Sequence, residues 1–158
     1  MKNRILIISF FLILITNCGY TPLYKDLKES AFKISISKID GDRELSNYVY
    51  ANLRRYSLSK AKKLFTIDVV IDYEKSIISK DSTGKASNYQ LTASSLFDIN
   101  FQDSITGEKF NREISISENF NMKSMANKID ERQYEKSIKK NLARSITQEL
   151  ILKLSSLK

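Results

Sequence analysis

Ser-x-x-Lys tetrads, among them Ser35–Lys38, Ser57–Lys60 and Ser137–Lys140, are the spacings in this chain nearest to nucleophilic catalysis. A serine acylase of that type also carries Ser-Asp-Asn and Lys-Thr-Gly partners, and neither segment occurs here. Repeated hits in a chain rich in Ser and Lys reflect composition. The chain has no histidine and a single cysteine, Cys18. That removes Ser-His-Asp and Cys-His arrangements and the common metal sites. Its four glycines form no phosphate-cradling loop. Asp68 and Asp72 fall on the polar side of one strand pattern, where solvation accounts for them. The residues predict a non-enzyme, with no catalytic site, no cofactor and no metal.

Cys18 carries the more informative chemistry. Lys2 and Arg4 precede the apolar run Ile5–Ile15, which is 11 residues long. A membrane-spanning helix needs about 20, so the run has the length of a signal peptide's apolar segment. Ile15-Thr16-Asn17-Cys18 resembles the lipobox of bacterial lipoproteins. Asn17 stands where Gly, Ala or Ser is usual, which predicts less efficient cleavage. In such signals the Cys18 thiol receives a diacylglyceryl group, and two or more acyl chains give a stable anchor where one is marginal. With no Asp after Cys18, outer-membrane sorting is expected. The reading is a signal peptide over 1–17, a lipidated tether over 18–30 and one domain over 31–158.

The chain carries +8, and losing Lys2 and Arg4 with residues 1–17 leaves +6. In an exported protein a modest positive balance favours lipid headgroup phosphates over nucleic acid as partner. No intrachain disulfide is possible with one cysteine. The core must hold by packing alone.

Phe32, Ile34 and Ile36 alternate with polar residues and predict a strand. Asp40-Gly41-Asp42 breaks it and offers an N-cap. Leu45, Tyr48, Val49, Leu53 and Tyr56 then recur at helical spacing. Phe65, Ile67, Val69, Ile71 and Tyr73 mark a second strand. The polar stretch Ser76–Asn88 reads as a long hairpin loop, with the pair Ile77-Ile78 as its oddity. Tyr89, Leu91, Ala93, Phe97, Ile99 and Phe101 mark a third strand, Asp103–Gly107 a turn, and Phe110, Ile114, Ile116 and Phe120 a fourth. From about Ser124 the period is helical: Tyr134, Ile138, Leu142, Ile146 and Leu150 form a stripe, widened by Ile129, Ile151 and Leu154. Lys136, Lys139, Lys140 and Arg144 fall on its exposed side. The order β-α-β-β-β-α predicts a two-layer α+β sandwich, a four-stranded mixed sheet with two helices on one face.

The start Cys18-Gly19-Tyr20-Thr21-Pro22-Leu23-Tyr24 resembles that of alphaproteobacterial members of the LptE family, the lipopolysaccharide-assembly lipoproteins. Tyr89–Ala93, Phe97-Asp98, the Thr106-Gly107 turn and the closing helix with Ala143, Ile146, Leu150 and Leu154 are similar to the family as well. The resemblance implies two helices on a four-stranded sheet, and a role as plug and assembly factor inside an LptD-type β-barrel. It implies lipopolysaccharide as the ligand, which carries phosphates and acyl chains and calls for cations beside exposed apolar groups. Lys80, Lys85, Lys109 and Arg112 are then the candidate lipopolysaccharide-binding residues, with Ile77 and Ile78 as apolar contacts. Arg112 shares the parity of Phe110 and Ile114, so a strand-end position snorkelling to water competes with a ligand role. A periplasmic lipid-transport auxiliary of the ABC/MCE type is the alternative.

Overall fold

Asp40, Gly41 and Asp42 turn a strand into a helix within three residues. Gly41 has φ 105°, a left-handed value that costs glycine little, and a Cβ there would overlap the Ile71 carbonyl. The Asp42 N–H donates to that same carbonyl at 2.7 Å. The Asp42 carboxylate then caps the helix, accepting from the N–H groups of Glu44 at 3.1 Å and Leu45 at 2.8 Å. In the computed structural model, residues 32–58, 61, 63–102, 107 and 109–157 are described. Cys18, the expected signal segment and the tether lie outside the described residues, as do Lys60 and most of the expected 103–107 turn.

The elements run β1 (Lys33–Gly41), α1 (Arg43–Ser57), β2 (Leu64–Lys80), β3 (Ala86–Gln102), β4 (Lys109–Lys123) and α2 (Lys128–Ser156). The sheet order is β1-β2-β3-β4, with β1 parallel to β2 through the α1 crossover and the rest an antiparallel meander. This is the expected mixed-sheet α+β sandwich. Both helices cover one face. Leu45, Val49 and Leu53 of α1 and Ile138, Leu142, Ile146, Leu150 and Leu154 of α2 meet Ile34, Phe65, Ile67, Val69, Ile71, Leu91, Phe97 and Ile99 of the sheet. A buried side chain of this size contributes about 1.5–3 kcal/mol, so these stripes, more than helix propensity, hold the helices down.

At the end where the described chain enters β1, aromatic rings cross the whole sheet. Phe32 stacks on Tyr56 of α1 and meets Phe65 edge-on, Phe65 meets Phe101, and Phe101 stacks on Phe110. The Lys63 ammonium lies over Phe65 and Phe101 and donates to the Leu157 carbonyl at 2.5 Å. This ladder closes the lower end of the core.

The Ser76–Asn88 stretch is not a long loop. β2 continues to Lys80 and β3 begins at Ala86, leaving a turn at 81–85. Asp81 builds it: one carboxylate oxygen accepts from the Thr83 N–H, the Thr83 hydroxyl and the Lys85 N–H. Gly84 supplies φ 81°. Polar residues pair the strands here, with Ser79 and Ser87 hydroxyls 2.7 Å apart and Asn88 Nδ2 donating to Ser79. Alternation is invisible in the sequence because no layer covers either face of this segment. In β4 the buried positions are Ile114, Ile116 and Met122, while Phe110 and Phe120 are largely exposed near the strand's ends.

Candidate functional site

β2 and β3 are each 17 residues long, about 55 Å at roughly 3.3 Å per residue. The helices cover only part of that length. β4 accompanies β3 as far as the Asn88–Lys123 pair, and past it the tip of the β2–β3 hairpin projects as an arm, with an ionic network at its root. The Tyr73 hydroxyl donates to Glu135 Oε1 at 2.7 Å, and the Lys75 ammonium donates to Glu135 Oε2 at 2.7 Å while lying over the Tyr89 ring. Lys75 also lies 3.5 Å from Glu131. Burial alone would raise the Glu135 carboxyl, but the hydrogen bonds from Lys75 and Tyr73 outweigh it and hold it below the ordinary value. Burial likewise opposes the charge on Lys75, and its two carboxylate partners raise it above the ordinary lysine value. Burial, then the bond to Glu135, pushes the Tyr73 hydroxyl well up.

Glu131 completes the root. It is 5% exposed. Its Oε2 accepts from the Lys128 ammonium, the Met125 N–H and the Ser124 hydroxyl. These bonds, that from Lys128 first, hold the carboxyl down to about 2. The apolar pattern had assigned the inward side of this first turn to Ile129, which is 61% exposed. No sequence signal marks Glu131 as buried, since a carboxylate reads as exposed by type.

Beyond the root, the expected binding residues are displayed. Ile77 and Ile78 are 53% and 48% exposed. Ile78 is the extra residue of a register shift between Ile77 and Ser79, so two adjacent apolar groups stand on a polar arm with no helix over them. Lys80 ends β2 and Lys85 closes the turn, both exposed and outside any ion pair among the described residues. Lys75, which flanks the isoleucines in sequence, is instead committed to Glu135.

Lys109 and Arg112 do not join this group. They pair with Gln102 and Ile99, at the opposite end of β3 from Lys85. Arg112 is exposed, as a strand-end position predicts, beside a shallow hollow shared with Lys153 and Leu157 at the end of α2. The four cations therefore form two separate surfaces.

The basic run on α2 also divides. Lys139 is not on the exposed side: its side chain is 12% exposed, lies over the Tyr73 ring and sits 3.4 Å from Asp42 and 3.5 Å from Glu44. Lys136 faces Glu44 at 3.9 Å. Lys140 and Arg144 are exposed and face α1 across a groove that also contains Arg55, which the sequence pattern did not single out.

The open face of the sheet is polar. Ser94 and Ser117 lie 3.1 Å apart, and Asn111 donates to Asp98 and Asn100. Val70 and Leu96, a directly opposed pair, are among its exposed apolar groups.

No family model and no curated protein sequence matches the chain. Solved structures do. A minor lipoprotein from Acinetobacter baumannii has a TM-score of 0.52 at 14% identity, covering 78% of this chain and 90% of its own. The rare lipoprotein B from Shewanella oneidensis has a TM-score of 0.48 at 20% identity, covering 80% and 97%. A lipoprotein B from Nitrosomonas europaea has 0.44 at 12% identity, covering 77% and 83%. At such identities the Acinetobacter likeness supports the fold alone, two helices on a four-stranded sheet.

Proposed function

We propose that this chain is a lipid-anchored lipoprotein of the outer membrane, acting as plug and scaffold for an LptD-type β-barrel that assembles lipopolysaccharide into the outer leaflet. The projecting β2–β3 arm carries this reading, with Ile77, Ile78, Lys80 and Lys85 displayed beyond the helical layer. Lysines act as point charges toward phosphate, and exposed isoleucines offer apolar area to acyl chains. The rigid root at Glu131 and Glu135 suits an arm that must present those groups at a fixed distance. The sheet's open face, with its Ser and Asn side chains, suits the polar lumen of a barrel. The start Cys18–Tyr24 supports the anchor and the family resemblance.

The test is a pull-down of the tagged full chain from solubilised outer membranes. The reading expects one large β-barrel protein in a stable complex. A chain recovered alone after mild extraction, or with a periplasmic channel of a lipid-transport system, would reject it.

A further inference from the structure

The groove between α1 and α2 belongs to neither the arm nor the sheet face. It encloses about 350 Å³ and is lined by Arg55 of α1, Lys140 and Arg144 of α2, Tyr48, Tyr56 and Asn52 among others, with no carboxylate in the lining. Lys140 and Arg144 are four residues apart, so they share one helix face and repel each other. Among the described residues neither is relieved by an ion pair, and Arg55 is not either, whereas Lys75, Lys128, Lys136, Lys139 and Lys153 all have acidic partners. Three unneutralised cations converging on a concave, partly apolar surface form an anion site. Arg offers paired donors to phosphate oxygens and Lys a point charge.

Position selects the anion. Tyr56, on the groove wall, stacks on Phe32, the first described residue of the chain. Only 14 positions separate Phe32 from Cys18, a reach of at most about 50 Å. The groove therefore runs toward the end of the domain where the described chain begins, opposite the 81–85 turn, and an acylated Cys18 would keep it within reach of the anchoring membrane.

We infer that the α1–α2 groove binds the phosphate of an anionic phospholipid headgroup in the membrane that anchors the chain. The site rests on the reading of Cys18 as lipidated for its choice of ligand. It is distinct from the arm proposed to meet lipopolysaccharide. Arg55, Lys140 and Arg144 hold the phosphate, and the groove's tyrosine and aliphatic surfaces take the glycerol and first acyl carbons.

The experiment titrates the mature full-length chain in neutral maltoside micelles, followed by backbone amide hydrogen exchange of α1 and α2. The probes are dihexanoyl phosphatidylglycerol, dihexanoyl phosphatidylcholine, glycerophosphate, inorganic phosphate and a glutamate oligopeptide. Phosphatidylglycerol should bind roughly tenfold or more tightly than phosphatidylcholine and protect both helices, with affinity falling as salt rises. R55E/R144E and the milder R55Q/R144Q should abolish that preference, and K80E/K85E should keep it. Equal binding of the two lipids, or unchanged binding in R55Q/R144Q, overturns the proposal. Inorganic phosphate binding as tightly as phosphatidylglycerol, or the oligopeptide binding in its place, overturns it too. The mass of the same preparation reports acylation separately. An unmodified Cys18 with intact phosphatidylglycerol binding refutes the anchor and supports the groove, while an acylated Cys18 without binding refutes the groove alone.

Discussion

The ammonium of Lys139 stands 3.9 Å from the centre of the Tyr73 ring, joining the middle of α2 to the inward face of β2. The same ammonium faces Asp42, the N-cap of α1, at 3.4 Å, and the Tyr73 hydroxyl donates onward to Glu135. One side chain thus ties both helices and the arm's root together. A cation over an aromatic face in a partly desolvated site is worth about 0.5–2 kcal/mol. K139M should lose about 1–3 kcal/mol, because Asp42 is also left without its counter-charge. Y73F should lose about 1 kcal/mol. Urea unfolding of the singles and the double should show coupling, since the residues share partners. Strict additivity would mean that the network does not act as a unit.

Acid should loosen the same region. The Glu131 carboxyl is held down to about 2, chiefly by the bond from Lys128. A carboxyl depressed on folding contributes stability that is fully present above its unfolded value, about 4.3. That contribution fades as pH falls through the folded value. E131Q should therefore melt below the wild type at pH 7, and the gap should close between about pH 4.5 and 2. Thermal melts by circular dichroism across that range check it. A gap independent of pH would show that packing, not charge, explains the loss.

Gly41 predicts a backbone effect. Its φ of 105° and the Ile71 carbonyl standing where a Cβ would be placed leave no room for a side chain. G41A should cost about 3 kcal/mol or more, through strain and through loss of the Asp42–Ile71 hydrogen bond. Melting temperature measures it. A loss below about 0.5 kcal/mol would mean that the β1–α1 junction rearranges freely.

The sequence made the core legible where one face meets the helices. Leu45, Val49 and Leu53, or Phe65, Ile67, Val69 and Ile71, repeat with the period of their element because burial on one side selects apolar residues. The arm was not legible, since Ser76–Lys80 and Ala86–Asn88 pair through backbone and small polar side chains, and no position there is buried. Nothing then imposes alternation. Asp42 could be read as a cap from its type and place. Glu131 and Lys139 could not be read as covered, because partners that make this tolerable, Lys75 for one and Tyr73 and Asp42 for the other, are set by tertiary contacts. Arg55 and Arg144 are 89 positions apart in sequence, and only the helix pairing brings them to one groove.

The arm supplies the functional prediction. Ile77, Ile78, Lys80 and Lys85 are exposed, so replacing them should change stability by less than about 0.5 kcal/mol. Their effect should appear on the ligand instead. K80E/K85E should weaken lipopolysaccharide binding by roughly tenfold, more at low salt than at high salt, since exposed charges are screened within about 10 Å at 0.1 M. I77S/I78S should weaken it with little salt dependence, because the lost contribution is apolar area. Binding to immobilised lipopolysaccharide at two ionic strengths separates these signatures. If both variants bind as the wild type does while melting unchanged, the arm is not the ligand surface, and the scaffold reading would rest on the barrel complex alone.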